Sequence, residues 1–331
     1  MDEKIDFIIP WVDDSDEIWQ KERNKYAWTT PDDLAKCRFR DRENLKYLFR
    51  WIEKFAPWVN SVFFVTCGHY PSWLNLKHPK LKFIKHDEYI PKKYLPTFNS
   101  HTIELNFHRI RELSEHFVYF NDDMFIIDYM KKDEFFKSGL PRQIAWLDAI
   151  VTNNDVFGHI LLNDIQLINR HFNHKDVLRN NIHKWFYPNY WIRVLLKTIF
   201  LQNYPRFVWL FNQHLPNSLL KSTMNQLWNE EFTALDNSSK SRFRTDRDVN
   251  QYIFSWYDIA RGNFKPRKRY IGRYFFVKNN DNKELIKTIM EQRCKMICIN
   301  DSDRDFDFEK VKSEIIEAFE KILPEKSEYE K

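Results

Sequence analysis

Over its first 130 residues this chain alternates short apolar runs with stretches of helical spacing, a rhythm that belongs to a layered α/β fold. Ile5-Asp6-Phe7-Ile8-Ile9 is a β-rich run closed by Pro10, as expected of a buried first strand. Leu45, Leu48, Phe49, Ile52 and Phe55 repeat along one helical face, and Pro57 ends that helix. Residues 61–66 (SVFFVT) and 81–85 (LKFIK) read as two further strands, with Gly68 turning the chain after the first. Ile103, Phe107, Ile110 and Leu113 predict a second amphipathic helix, running to about Ser114. Phe117-Val118-Tyr119-Phe120 is a fourth strand that leads directly into Asn121-Asp122-Asp123. The β-α-β-β-α-β order predicts a mainly parallel sheet, and in such sheets ligands bind beyond the carboxyl ends of the strands. Polar clusters at those ends therefore carry more weight than polar clusters elsewhere.

The second half is different. Between Val177 and Asn229 there is no Asp or Glu, while Arg179, Lys184, Arg193, Lys197, Arg206 and Lys221 are basic. Trp185, Phe186, Tyr187, Tyr190, Trp191, Phe207, Trp209 and Phe211 share that stretch. It reads as a helical, aromatic and basic insertion on the α/β core. Two readings stay open: a packed helical subdomain, or a surface for an anionic lipid headgroup or an acceptor saccharide. From Asp307 onward Phe308, Val311, Ile315, Phe319 and Ile322 form one face of a helix whose other face is charged, and no chemistry is assigned to it. The expected divisions are 1–150 and 213–306 for two halves of a catalytic core, 151–212 for the insertion and 307–331 for the terminal helix.

Composition removes several classes. With 43% hydrophobic and 30% charged residues the chain is not disordered. Its five glycines (Gly68, Gly139, Gly158, Gly262, Gly272) are too far apart for either glycine-rich phosphate loop. A net charge of +5 gives no reason to expect a nucleic-acid partner. No run approaches the ~18 apolar residues of a spanning helix, and the opening residues lack the form of a secretory signal. Cys37, Cys67, Cys294 and Cys298 form no C-x-x-C; Cys294 and Cys298, four apart, are expected on a helix or helix end, as reduced packing cysteines. The expected compartment is the cytoplasm.

Four clusters could carry chemistry. Trp11-Val12-Asp13-Asp14-Ser15-Asp16 follows the first strand and could hold a base and ribose, or make ordinary turns and caps. Arg38-Phe39-Arg40-Asp41 could clamp a diphosphate, although on spacing alone surface charges and a helix cap explain it better. Asn99, Ser100 and Glu104 precede Asn121-Asp122-Asp123, where two carboxylates after a buried strand call for compensation by a divalent metal shared with phosphates. His214-Leu215-Pro216, Arg244, Asp248 and Asn300-Asp301 form the fourth; by itself His214 is more readily structural than catalytic.

Together these blocks resemble the Stealth family of sugar-1-phosphate transferases, which includes bacterial capsule and surface-polysaccharide phosphotransferases and the animal enzyme that starts the mannose-6-phosphate tag. The resemblance rests on IDFIIPWVDDSD, on RFRDRENLKYLFRWIEKFAPWVNSVFFVT through PSWLNL, LPTFNSHTIE and FVYFNDDMF, on HLPNSLLKSTMNQLWNEEF with FRTDRDVNQY, and on CINDSD. The blocks span about Ile5 to Asp303; Asp14 departs from the glycine common in that family.

The resemblance implies a Rossmann-like, glycosyltransferase-A-type core. It implies a UDP-hexose or UDP-N-acetylhexosamine donor, and attack by an acceptor hydroxyl on the phosphate that bears the sugar, with UMP leaving. The acceptor it implies is a lipid-linked oligosaccharide or growing glycan, with peripheral contact at the inner face of the membrane. Such transfer needs positioning, charge neutralisation and a base. The matching positions make His214 the candidate base and Arg244 the partner of the transferring phosphate. Asp122, Asp123, Asn300 and Asp301 would hold Mg²⁺ or Mn²⁺, and Glu104 and Asp123 complete the catalytic set. Trp11, Asp13, Arg38, Arg40, Asp41, Asn99 and Ser100 would bind the nucleotide-sugar. The alternative is a conventional metal-dependent glycosyltransferase that releases UDP.

Overall fold

The computed structural model describes residues 3–26, 43–151, 156–268, 271–277, 281–300 and 307–331. In chain order its strands are β1 (Ile5–Pro10), β2 (Val62–Thr66), β3 (Leu81–Lys85), β4 (His116–Tyr119), β5 (Met124–Ile126) and β6 (Phe136–Lys137). They continue as β7 (Leu140–Gln143), β8 (Asn217–Leu220), β9 (Lys265–Pro266), β10 (Gly272–Phe276) and β11 (Met296–Asn300). The central sheet runs β3-β2-β1-β4-β8; its first four strands are parallel and β8 is antiparallel to β4. The chain is thus mixed α/β with the expected parallel sheet.

β1 and β2 are buried along almost their whole length because both faces of the sheet are covered, and the one charge in them, Asp6, accepts from Asn60 Nδ2 at 2.7 Å and Ser114 N at 2.7 Å. Alternate residues supply two cores. Phe7, Ile9, Val62, Phe64 and Val118 pack toward the helices Leu45–Phe55 and Phe308–Ile322. Ile8, Phe63, Val65, Phe117 and Tyr119 face the other way. There they meet Ile165 and Ile168 of the helix Val156–His171, Trp185, and Phe254 of the helix Tyr252–Ala260. Residues 151–212 contain the helices Val156–His171, His174–Asn180, Ile182–Trp185 and Ile192–Leu201, and several of their residues help build the second core.

Two expectations about local structure are corrected. The helix predicted to reach Ser114 ends at Leu105 and gives way to a 3₁₀ turn at Phe107–Arg109. Asn106 accounts for this: its side chain donates to Thr102 O at 2.8 Å and accepts from Arg109 Nε at 2.8 Å, competing with the helical ladder. Cys298 lies in a strand, not on a helix, because β-rich Met296-Ile297-Cys298-Ile299 pairs with β10 on one side and β5 on the other.

Topology gathers the clusters. β1 is flanked by β2 and β4, so the strand order reverses between β1 and β4, the kind of switch point beyond whose carboxyl ends α/β sheets bind ligands. Antiparallel β8 enters at that same end, with Asn217 opposite Tyr119. That places the residues just before β8 beside those just after β4.

Candidate active site

Asn121, Asp122 and Asp123 form the turn from β4 to β5, closed by Met124 N donating to Asn121 O at 3.2 Å. β11 fastens the turn, since Ile299 N donates to Asp123 O at 2.9 Å. Cys298 Sγ donates to Asp123 Oδ2 at 3.3 Å. Asp123 Oδ1 is buried and has no hydrogen-bond partner among the described residues. A ligating atom from each of Asp123, His214 and Cys298 lies within 4.8 Å of the others. Three segments far apart in sequence thus meet at one point. Asp122 is exposed.

His214 takes a positive φ of 50°, a sparsely populated conformation that costs about 1–3 kcal/mol and persists only where its surroundings enforce it. Its N–H donates to Asn212 Oδ1 at 2.7 Å, and its Nδ1 meets the Tyr252 hydroxyl at 2.7 Å. Tyr274, opposite Cys298 in the β10–β11 pair, presents an edge-to-face ring at 5.5 Å. Burial, then the charges of Glu104, Cys298 and Asp123, push the Tyr252 phenol well above its ordinary value, so it stays protonated. Tyr274 is raised by burial as well, and its hydroxyl meets Asn300 Nδ2. Alternation along β11 puts Asn300 on the same face as Cys298.

Glu104, buried on the helix Ser100–Leu105, accepts from Tyr119 Oη at 2.9 Å, and the same hydroxyl contacts Asn121. Ser100 lies one turn earlier on that helix, and its hydroxyl accepts from Arg244 Nη2 at 2.7 Å. Arg244, Ser100, Glu104, Tyr119 and Asn121 therefore run in series into the Asp123 turn. Asp248 holds the arginine's loop: its carboxylate accepts from Thr245 N (3.1 Å), Thr245 Oγ1 (2.8 Å) and Asn99 Nδ2 (2.8 Å), and meets His101 Nδ1 at 3.3 Å. Burial works to raise this carboxyl, but His101, Thr245 and Asn99 together hold it below the ordinary range. Asn99 is fully buried, capping the helix through His101 N and bonding Asp248, Ser241 O and Phe243 O.

The loop after β1 is braced by a residue that sequence reasoning missed. Asp13 N donates to His69 Nε2 at 3.0 Å, so the ring proton of neutral His69 sits on Nδ1 and donates to Asp16 Oδ2 at 3.0 Å. Asp16 also caps the helix Glu17–Tyr26, accepting from Ile18 N and Trp19 N. Asp13 Oδ1 accepts from Ser15 N and Oγ. Trp11 is buried, stacked on Phe64 at 5.8 Å with His69 at its edge. Arg38, Arg40, Asp41 and Asp301 lie outside the described residues.

The structure thus brings together Glu104, Asp123, His214 and the strand of Asn300, and links Ser100 and Arg244 to them. Tyr252, Tyr274, Cys298 and His69 were not foreseen. Only Cys298 left a usable trace: read as a strand, CINDSD puts Cys298 and Asn300 on one face.

Comparison with known proteins matches Stealth protein conserved region 1 over residues 3–27 and Stealth protein conserved region 2 over residues 38–143. Whole-chain relatives have similar names. A capsular polysaccharide phosphotransferase, WcwK of Streptococcus pneumoniae, is 37% identical over 332 aligned positions, covering 99% of this chain and 98% of that protein. A receptor polysaccharide phosphotransferase, WefC of Streptococcus gordonii, is 37% identical, with all of both chains covered. An exopolysaccharide phosphotransferase, cps2G of Lactiplantibacillus plantarum, is 38% identical over 99% of this chain and 96% of its own.

Proposed function

This chain belongs to the Stealth family, and from that premise we propose that it transfers a hexose-1-phosphate from a UDP-sugar to a saccharide hydroxyl, building a phosphodiester into a cell-surface polysaccharide and releasing UMP. The observation that carries this reading is His214, held at an unusual backbone angle beside Asp123 with Nδ1 secured by a protonated tyrosine. A securely oriented imidazole suits proton removal from an attacking hydroxyl, typically worth ~10²–10⁴-fold. The acceptor oxygen attacks the phosphorus that carries the sugar, its proton passes to Nε2 of His214, whose Nδ1–H donates to the Tyr252 hydroxyl, and the bond from that phosphorus to the UMP oxygen breaks. Arg244, placed by Ser100 and the Asp248 loop, meets the charge on the transferring phosphate. The β3-β2-β1-β4 order supports a glycosyltransferase-A-type core, with the nucleotide over the β1 loop near Asp13.

A divalent cation fits the site. Asp123 Oδ1 is a hard, buried oxygen without a hydrogen-bond partner among the described residues, and Asn300 offers a second oxygen from the same face as Cys298. Asp123 and Asn300 would hold Mg²⁺ or Mn²⁺; when bound, the ion offsets charge on the donor's diphosphate.

The acceptor we propose is a lipid-linked oligosaccharide or growing glycan, met at the inner face of the membrane. No helix of the described residues is long and apolar enough to cross a membrane. Yet Ile192, Leu196, Ile199 and Phe200 fall within an arc of roughly 100° on the helix Ile192–Leu201 and all are exposed, Ile192 by 59% and Phe200 by 72%. Arg193, stacked on Trp191, borders that stripe on one side, and beyond it Lys197 pairs with Asp148 at 2.6 Å. An apolar stripe bordered by a cation and an aromatic ring fits an anionic lipid surface.

The reaction is tested by ³¹P NMR of the product formed from a UDP-sugar panel. A phosphodiester resonance that is lost in His214→Ala and Arg244→Ala, both still folded, supports the proposal. A glycosidic product free of phosphorus supports the conventional glycosyltransferase instead.

A further inference from the structure

We propose that the cavity beside the His214 turn is an oxyanion subsite, in which Arg267 and Trp256 bind a phosphate or carboxylate carried by the acceptor glycan. The acceptor's identity rests on the phosphotransferase reading; anion binding itself does not.

The cavity is lined by Phe211, Asn212, Gln213 and Leu215, which flank His214, and by Trp256 and Arg267. Among the described residues no carboxylate lines it. Arg267 follows β9 and is tied to β7 by its N–H, which donates to Gln143 O at 2.8 Å. Its side chain is 94% buried, being only 6% exposed, yet Nε and Nη1 have no hydrogen-bond partner among the described residues. Trp256, 1% exposed, has an Nε1–H in the same condition. Two residues that line the cavity thus carry three buried donors without a partner among the described residues. Buried guanidinium groups are costly unless paired, and proteins seldom leave such donors unmet.

The surroundings deepen the imbalance. Arg142 lies opposite Lys265 in the β7–β9 pair, and Lys184 reaches Gly262 O close by. Burial, then the charge of Arg142, lower the Arg267 guanidinium to about 10. Glu134 and the Tyr190 phenol act in the opposite direction, but Glu134 is already paired with Lys295 at 2.7 Å. Excess positive charge, unmet N–H donors and the absence of a lining acid together describe the complement of an oxyanion, and arginine's planar fork suits phosphate and carboxylate alike. Because Asn212, Gln213 and Leu215 flank the proposed base, a group bound here belongs to the molecule whose hydroxyl His214 serves. A glycan that already contains phosphodiesters, or one with an acidic sugar, offers such a group.

The test has two readouts on the full-length protein. Inorganic phosphate, compared with sodium chloride at equal ionic strength, is expected to raise the thermal midpoint of the wild type, and the increase is expected to vanish in Arg267→Gln. Should that variant fail to fold, Trp256→Phe removes one donor while keeping the ring, and a reduced increase is expected. In turnover, the preference in kcat/KM for an acceptor bearing a phosphate or carboxylate over its neutral counterpart is expected to be on the order of 10–100-fold, and to fall near unity in Arg267→Gln. An undiminished phosphate response in both variants overturns the subsite. A lost phosphate response without any acceptor preference means that the pocket takes free anions, and overturns the acceptor assignment. An altered donor KM in place of the acceptor preference assigns the pocket to the diphosphate and overturns it likewise. If no acceptor turns over at all, the phosphotransferase reading has failed, while the thermal measurement still decides the subsite.

Discussion

At the scale of single residues, the site works by holding groups still. Tyr252 touches His214 rather than substrate, so it is a positioning residue: Tyr252→Phe is expected to lower kcat about 10-fold, the worth of roughly one hydrogen bond, with KM and thermal midpoint little changed. A fall in stability with kcat intact would show the hydroxyl to be structural. Asp248 is a second positioning group. Its folded carboxyl is lowered, so the stability it contributes is complete above the unfolded aspartate value of about 3.9 and is lost as pH falls through the folded value. Asp248→Asn is expected to cost roughly 3–5 kcal/mol at neutral pH, and denaturant titrations should show the gap from wild type closing below about pH 4. Of these residues, sequence reasoning reached the Asn121–Asp123 turn from two carboxylates placed after a buried strand, and His214 and Arg244 because their blocks resemble a known family. It could not reach Tyr252 or His69: one of fifteen tyrosines carries no mark of which histidine it will meet.

At the scale of elements, the strands were legible and the ends of the helices were not. Apolar runs such as VFFVT announce buried strands by themselves, whereas the early end of the helix at Leu105 depends on bonds made by Asn106, one of them to the distant Ser239. Cys298 was assigned to the wrong element because four-residue spacing suits a helix, while pairing with β5 and β10 decided for a strand. The helix Phe308–Ile322, read correctly as amphipathic, braces the site from behind. Phe319 is fully buried and packs against Tyr47, Trp51 and Phe125, the last of which lies on β5 two residues after Asp123. Phe319→Ala is expected to cost about 3–5 kcal/mol in denaturant unfolding. Activity should also fall below the loss explained by the unfolded fraction, since β5 carries the Asp123 turn. Unchanged specific activity per folded molecule would mean that the turn is held from the sheet alone.

At the scale of the whole molecule, the candidate site lies at the carboxyl end of β4, and the acid-free helical stretch leads along the chain from an exposed apolar stripe to His214. This arrangement suits an enzyme whose acceptor is anchored in a bilayer. Flotation with vesicles of phosphatidylglycerol and phosphatidylcholine should recover the protein, and pure phosphatidylcholine should recover much less. Added salt should weaken binding, and Leu196→Ser with Phe200→Ser should abolish it. Recovery indifferent to those substitutions would remove the helix from the account. The alternation of strands and helices was enough to place the site in the sequence, but the stripe became visible only when burial showed which side of its helix faces outward. The central claim, which phosphorus bond breaks, is tested most directly with a UDP-sugar labelled on the phosphate that bears the sugar. The account predicts that the label moves to the polysaccharide product as UMP is released, and that the transfer requires His214. Label retained on the nucleotide as UDP would contradict it.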